Sequence, residues 1–163
     1  MKKSFVPRAC RYRDFVQLRS GDVICHYKGQ NTCNPTTCPI MNYTSYFAKG
    51  PQLINADLVP IAITATVPEW FKGLTYQKLA PSYDILMEYK KTGDRDRYTH
   101  RFMYEILYKL KPDEVYNELM ELTGGKHFCL VCYEKPDSFC HRHLVADWLS
   151  INGYPCKETY VGG

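Results

Sequence analysis

Residues 126–150, KHFCLVCYEKPDSFCHRHLVADWLS, constrain this chain more than any other stretch, because the apolar pattern changes there from strand to helix across a polar loop. Phe128, Leu130 and Val131, with Cys129 and Cys132 among them, form a run too short for a helix and typical of a strand buried on both faces. Tyr133 and Glu134 fall at its carboxyl end, a Lys-Pro-Asp-Ser loop follows, and Leu144, Val145, Trp148 and Leu149 recur at helical spacing. The helix is predicted to begin near residues 139–142, so its first turn holds Cys140, His141 and Arg142. Unpaired backbone N–H groups and the positive end of the helix dipole favour an anion or a thiolate there. Ligands of open α/β sheets bind outside the carboxyl ends of the strands, which makes this loop the first candidate site.

The rest of the chain supplies partners for that unit. Residues 44–48 and the apolar, β-branched run 58–66 read as strands, the second ended by Pro68. Trp70 and Phe71 sit in a connection and are expected to pack rather than to bind. Ser82 is placed to cap a helix bearing Tyr83, Leu86 and Met87, with Thr92-Gly93 as its stop. A second helix is predicted to carry Tyr98, Phe102, Ile106 and Leu110 on one face, and a third to run from Pro112, with Asp113 and Glu114 in its first turn, to Gly124-Gly125. Strand 127–133, helix 140–151, a stop at Gly153 and a last strand near 156–161 complete the order. Together these elements predict a compact three-layer α/β domain over residues 43–163, with a mostly parallel sheet and right-handed crossovers.

Residues 1–42 differ in character and form a Cys-rich amino-terminal extension. Residues 15–18 and 23–27 flank Arg-Ser-Gly-Asp, the pattern of a β-hairpin, and a turn-rich loop without a core pattern follows. Cys25, His26, Cys33 and Cys38 lie close together there, so a structural zinc on Cys25, Cys33 and Cys38 is one reading and unligated thiols the other. The chain has eight cysteines but no apolar segment after Met1-Lys-Lys that would serve as a secretory signal. That combination predicts a cytoplasmic protein with reduced thiols rather than a disulfide framework. No apolar run approaches the length that spans a bilayer. A net charge of +4 permits an anionic small molecule or nucleic acid as partner without requiring one, and the 14 tyrosines offer stacking surface or core edge.

The chemistry concentrates at the opening stretch. Cys129, Cys132, Cys140 and His143 spell C-x2-C-x7-C-x2-H, yet side chains three apart on a strand point to opposite faces, which disfavours a zinc knuckle. Cys129 then reads as a small buried hydrophobe. Glu134, Cys140 and His141 are the candidate catalytic groups, and Cys132, Tyr133 and Arg142 the candidate ligand-binding ones. The alternative reading pairs Glu134 with Arg142 as a salt bridge that staples the loop.

Leu130-Val-Cys-Tyr-Glu134 and Cys140-His-Arg142 resemble the motifs of the domain-of-unknown-function 488 family, in which a strand ends in Cys-x-Glu and a helix opens with Cys-His-Arg. Thr44-Ser-Tyr-Phe-Ala48, Pro60-Ile-Ala-Ile63 and Lys78-Leu-Ala-Pro81 extend the resemblance over residues 43–160 or so, and it implies a compact three-layer α/β fold. Where other members end the early strand with Asp-Val-Arg, this chain reads Ile61-Ala-Ile-Thr-Ala-Thr66 and lacks both charges. Two functional expectations follow from the residues. One is an enzyme or binding protein for a nucleotide-like or nucleic acid-derived anionic ligand at the Cys-x-Glu and Cys-His-Arg cluster. The other is a non-catalytic, zinc-stabilised interaction module.

Overall fold

The buried run at 128–132 becomes the central strand of a parallel sheet. In a computed structural model that describes residues 13–17, 23–25 and 41–159, the strands in chain order are β1 (Arg13–Gln17), β2 (Val23–Cys25), β3 (Asn42–Tyr46), β4 (Val59–Ala62), β5 (Leu74–Thr75), β6 (Phe128–Cys132) and β7 (Cys156–Glu158). β1 and β2 pair antiparallel as the expected hairpin. The other five form one sheet in the order β5-β4-β6-β3-β7, with every pairing parallel. β6 runs between β3, where Tyr43 lies opposite Cys129, and β4, where Ile61 lies opposite Leu130. All five of its residues are buried.

The strand alternation sorts β6 onto two cores. Phe128 and Leu130 join Ile61, Phe102, Val145 and Leu149 in the larger one, while Cys129 and Val131 join Phe47, Leu53, Leu58 and Ala62 in the smaller. The smaller core is covered by α1 (Gly50–Asn55) and by Phe71 from the connection before β5. Gly73 in that connection has no room for a side chain, because a Cβ would lie 2.7 Å from the Pro60 carbonyl oxygen. The larger core is covered by α2 (Tyr83–Thr92), α3 (Arg95–Glu105), α4 (Pro112–Thr123) and α5 (His141–Ile151). Helices on both faces give the three-layer α/β domain.

Local signals set the helix ends. The Ser82 hydroxyl accepts from the Ile85 N–H at 3.3 Å, and Asp94 accepts from the Arg97 N–H at 3.0 Å. Gly93 and Gly124 stop α2 and α4 in the left-handed conformation, at φ 66° and 65°. Two expected spans are shorter than their patterns. α3 ends at Glu105 and a 3₁₀ turn at Leu107–Lys109 follows, so the stripe from Tyr98 to Leu110 is shared between a helix and a turn. β4 stops at Ala62 although the apolar run continues to Thr66. Ile63 still donates to the Val131 carbonyl at 3.1 Å, and the Thr64 hydroxyl then bonds the Thr66 carbonyl, closing a local turn that leaves the sheet. Among the described residues, no helix is long and apolar enough to cross a membrane.

Candidate functional site

β4 and β6 end side by side, Ala62 opposite Val131, and the loops leaving them open a cleft of about 520 Å3. On one side Tyr133 donates its hydroxyl to the Thr66 carbonyl at 3.3 Å, and its ring meets Phe47 edge-on at 4.8 Å. On the other side Tyr89 of α2, Tyr98 of α3 and Phe139 touch one another in a wall of three rings, with centroids 5.2 to 5.3 Å apart. Arg95 stacks on Phe139, its guanidinium carbon 5.5 Å from the ring centre. Glu134 is exposed and belongs to the same lining. Burial, reinforced by the charge of Glu134 and by Tyr89, pushes the Tyr98 phenol well above its ordinary pKa, so it remains a hydrogen-bond donor.

Cys140 and His141 also line the cleft, at the start of α5. Cys140 is the N-cap, in extended conformation, and its sulfur meets that of Cys132 in disulfide contact, with the Cα atoms 7.8 Å apart. This corrects the expectation of unbridged thiols at these two positions. Cys132 is the last residue of β6, and α5 begins beside it, so residues eight apart converge. The His141 Nε2 lies 2.6 Å from the Ile63 carbonyl oxygen. Since that oxygen only accepts, Nε2 carries the proton and Nδ1 presents a lone pair, 3.8 Å from the Cys140 sulfur. Burial lowers the His141 pKa to about 4, and the ring is neutral at physiological pH.

Arg142, expected among the ligand-binding residues, is fully buried. Its Nε and Nη2 donate to Oε2 and Oε1 of Glu158 at 3.1 and 3.0 Å, a bidentate pair with β7. Its Nη1 donates to the Cys132 sulfur at 2.8 Å and to the Glu134 carbonyl oxygen at 2.7 Å. The expected staple between the Glu134 and Arg142 side chains is thus corrected: the carboxylate partner is Glu158, and Glu134 contributes its backbone while its side chain stays free for the cleft. Glu158 is held in turn by the Thr44 hydroxyl at 2.5 Å. The pattern C-x2-C-x7-C-x2-H does not converge, because Cys129 packs in the smaller core. Cys33, Cys38 and the side chain of Cys25 lie outside the described residues.

The structure therefore gathers Cys132, Tyr133, Glu134, Cys140, His141 and Arg142 around the carboxyl end of β6. Sequence reasoning missed Glu158, Tyr89, Tyr98 and Phe139 as parts of this site. A buried arginine implies a carboxylate somewhere, but nothing in the spacing points to one 16 residues away on another strand. No curated protein and no solved structure matches the chain. The model of the family DUF488-N3a, described as the Active DUF488-N3 subclade, matches residues 46–153, which include both the Cys-x-Glu and the Cys-His-Arg motifs. On that match, which covers most of its length, the chain belongs to the DUF488 family.

Proposed function

We propose that the chain binds and acts on a nucleotide-like or nucleic acid-derived ligand in the cleft beside Glu134, Cys140 and His141. The observation that carries this reading is the wall formed by Tyr89, Tyr98 and Phe139 next to a free carboxylate. Every base has a π face that such a wall can stack, and Glu134 suits a base edge or a ribose hydroxyl, or the movement of a proton. The cleft volume falls within the range of about 300–1,000 Å3 usual for small-molecule sites. Lys90 in the lining suits a phosphate. Arg142 acts as a positioning residue, since it fixes the Glu134 backbone and the Cys132 sulfur from below. The description of the subclade as active supports chemistry at the site rather than binding alone.

Calorimetric titration of the full chain with the four common ribonucleosides and their monophosphates tests the reading. Saturable binding, weakened by Glu134→Gln and, for the monophosphates, additionally by Lys90→Ala, is the expected result. Absence of binding by all of these compounds would overturn it.

A further inference from the structure

Three ligand atoms meet at the floor of the cleft: the Cys132 and Cys140 sulfurs and one nitrogen of His141, all within 4.8 Å of one another. We propose that these residues form a site for a thiophilic divalent cation, zinc foremost, whose fourth coordination position opens into the cleft. Two thiolates and one imidazole are a known catalytic zinc donor set, in which a water or substrate atom takes the remaining position. The site is separate from the amino-terminal cysteines and from the C-x2-C-x7-C-x2-H pattern, which pairs Cys132 and Cys140 with the wrong histidine and with a cysteine on the other face of the sheet.

Four features of the surroundings fit a metal. The Ile63 carbonyl holds the His141 Nε2–H, the outer-sphere contact that orients metal-bound imidazoles, and so turns the Nδ1 lone pair toward the sulfurs. Cys132 accepts from the Arg142 guanidinium and Cys140 stands at the N-cap position of the 11-residue helix α5, near the positive end of its dipole, so both sulfurs occupy positions that favour the thiolate. The formal charges also balance. Arg142 is neutralised by Glu158, and two thiolates neutralise a divalent ion, leaving no net charge in a buried cluster. Finally, the Cα atoms of Cys132 and Cys140 are 7.8 Å apart, beyond the roughly 4.4–6.8 Å that disulfides ordinarily span. Two sulfurs on one zinc at bond lengths of about 2.3 Å stand about 3.8 Å apart at the tetrahedral angle. The wider spacing of these Cα atoms suits that separation. The Cys132–Cys140 bridge is first opened by a thiol reductant, which supplies two electrons and two protons and leaves as its own disulfide. As zinc then binds, each thiol gives its proton to solvent and the imidazole binds without losing a proton.

Cys140 and His141 line the cleft while Cys132 lies behind them, so an ion bound by all three faces the space beside Glu134. A substrate oxygen or a water there would meet the ion on one side and the Glu134 carboxylate on the other, an arrangement suited to hydrolysis or to deamination of a base.

The test uses the full chain, kept in thiol reductant and loaded with zinc, then alkylated with and without a chelator and mapped by mass spectrometry at each cysteine. Cys132 and Cys140 should be protected by zinc and become at least tenfold more reactive when it is removed. In parallel, cobalt loading should give a thiolate charge-transfer band that is lost in His141→Ala and in Cys140→Ser. Equal labelling of the two cysteines with and without zinc would overturn the proposal, as would a Cys132–Cys140 disulfide that persists in reductant. The alkylation arm uses the unaltered protein, so a variant that fails to fold does not obscure the outcome. The readout is also independent of the nucleoside reading. Nucleoside binding by protein that takes up no zinc at this position would sink the metal site alone, and zinc uptake without nucleoside binding would sink only the other.

Discussion

Arg142 and Glu158 meet through two N–H···O contacts of 3.1 and 3.0 Å, with the arginine fully buried, so the start of α5 is tied to the outermost strand of the sheet. Removing one partner leaves a charge in a low-dielectric interior without its counter-charge. Glu158→Gln is expected to cost about 3 to 5 kcal/mol in denaturant unfolding, and Arg142→Met more, because the Glu134 carbonyl and the Cys132 sulfur lose their donor as well. The double variant Arg142→Met/Glu158→Leu should recover much of the loss. Single variants that lie within about 1 kcal/mol of the parent would show that the pair does not hold the site together.

Glu134 should behave in the opposite way. Its side chain is exposed, and its contact with Arg142 runs through the backbone carbonyl, which a substitution leaves in place. Glu134→Gln is expected to change stability by no more than about 0.5 kcal/mol while weakening nucleoside binding. A large shift in the unfolding midpoint would assign Glu134 a structural role instead.

The wall of the cleft depends on how α2 meets α3, and Glu88 joins them by accepting from Arg97 at 2.5 Å and from Arg101 at 3.0 Å. Hydrogen bonds from Arg97 and then Arg101 hold the Glu88 carboxyl below its ordinary value of 4.5. A carboxylate whose pKa is lowered on folding stabilises the protein above the unfolded value, and that contribution fades as pH falls through the folded one. Thermal midpoints should therefore decline on acidification below pH 4.5, and the decline should be shallower in Glu88→Gln. Parallel curves for the two proteins would show that Glu88 is not linked to folding.

Cys129 and Cys156 are buried thiols, and burial pushes both well above the ordinary thiol range, with Cys156 and Glu158 respectively adding to the effect. Neither should react with iodoacetamide in the native protein at neutral pH, because the thiolate is the reactive form. Rapid labelling of either one without unfolding would mean that the sheet opens locally at β6 or β7.

How far the site was legible depended on the range of each interaction. The run Phe128–Cys132 and the helix spacing after Cys140 are local patterns, and they located the strand end and the helix start within a residue or two. Ser82, Asp94 and Gly124 act on their own turns, so the helix ends of two elements could be anticipated from Ser82 and Gly124. Glu158 reaches Arg142 only because the sheet order places β7 against β3, and no local rule encodes that neighbour. The hold on His141 comes from the Ile63 backbone carbonyl, a group present in every residue and therefore without a sequence signature. Tyr98 and Phe102 share a helical stripe that reads as core for both. Only the arrival of Phe139 from a distant loop turns Tyr98 into part of a cleft wall.

The tie between Arg142 and Glu158 also sets an order of assembly during synthesis. A ribosome makes α5 before it makes β7, so Arg142 leaves the exit tunnel ahead of Glu158. Until Glu158 has left the exit tunnel and β7 has paired with β3, the Cys132 sulfur and the Glu134 backbone are positioned by a side chain with no counter-charge of its own. The nascent protein can thus build most of its sheet early, yet the cleft takes its finished shape only with the last strand of that sheet.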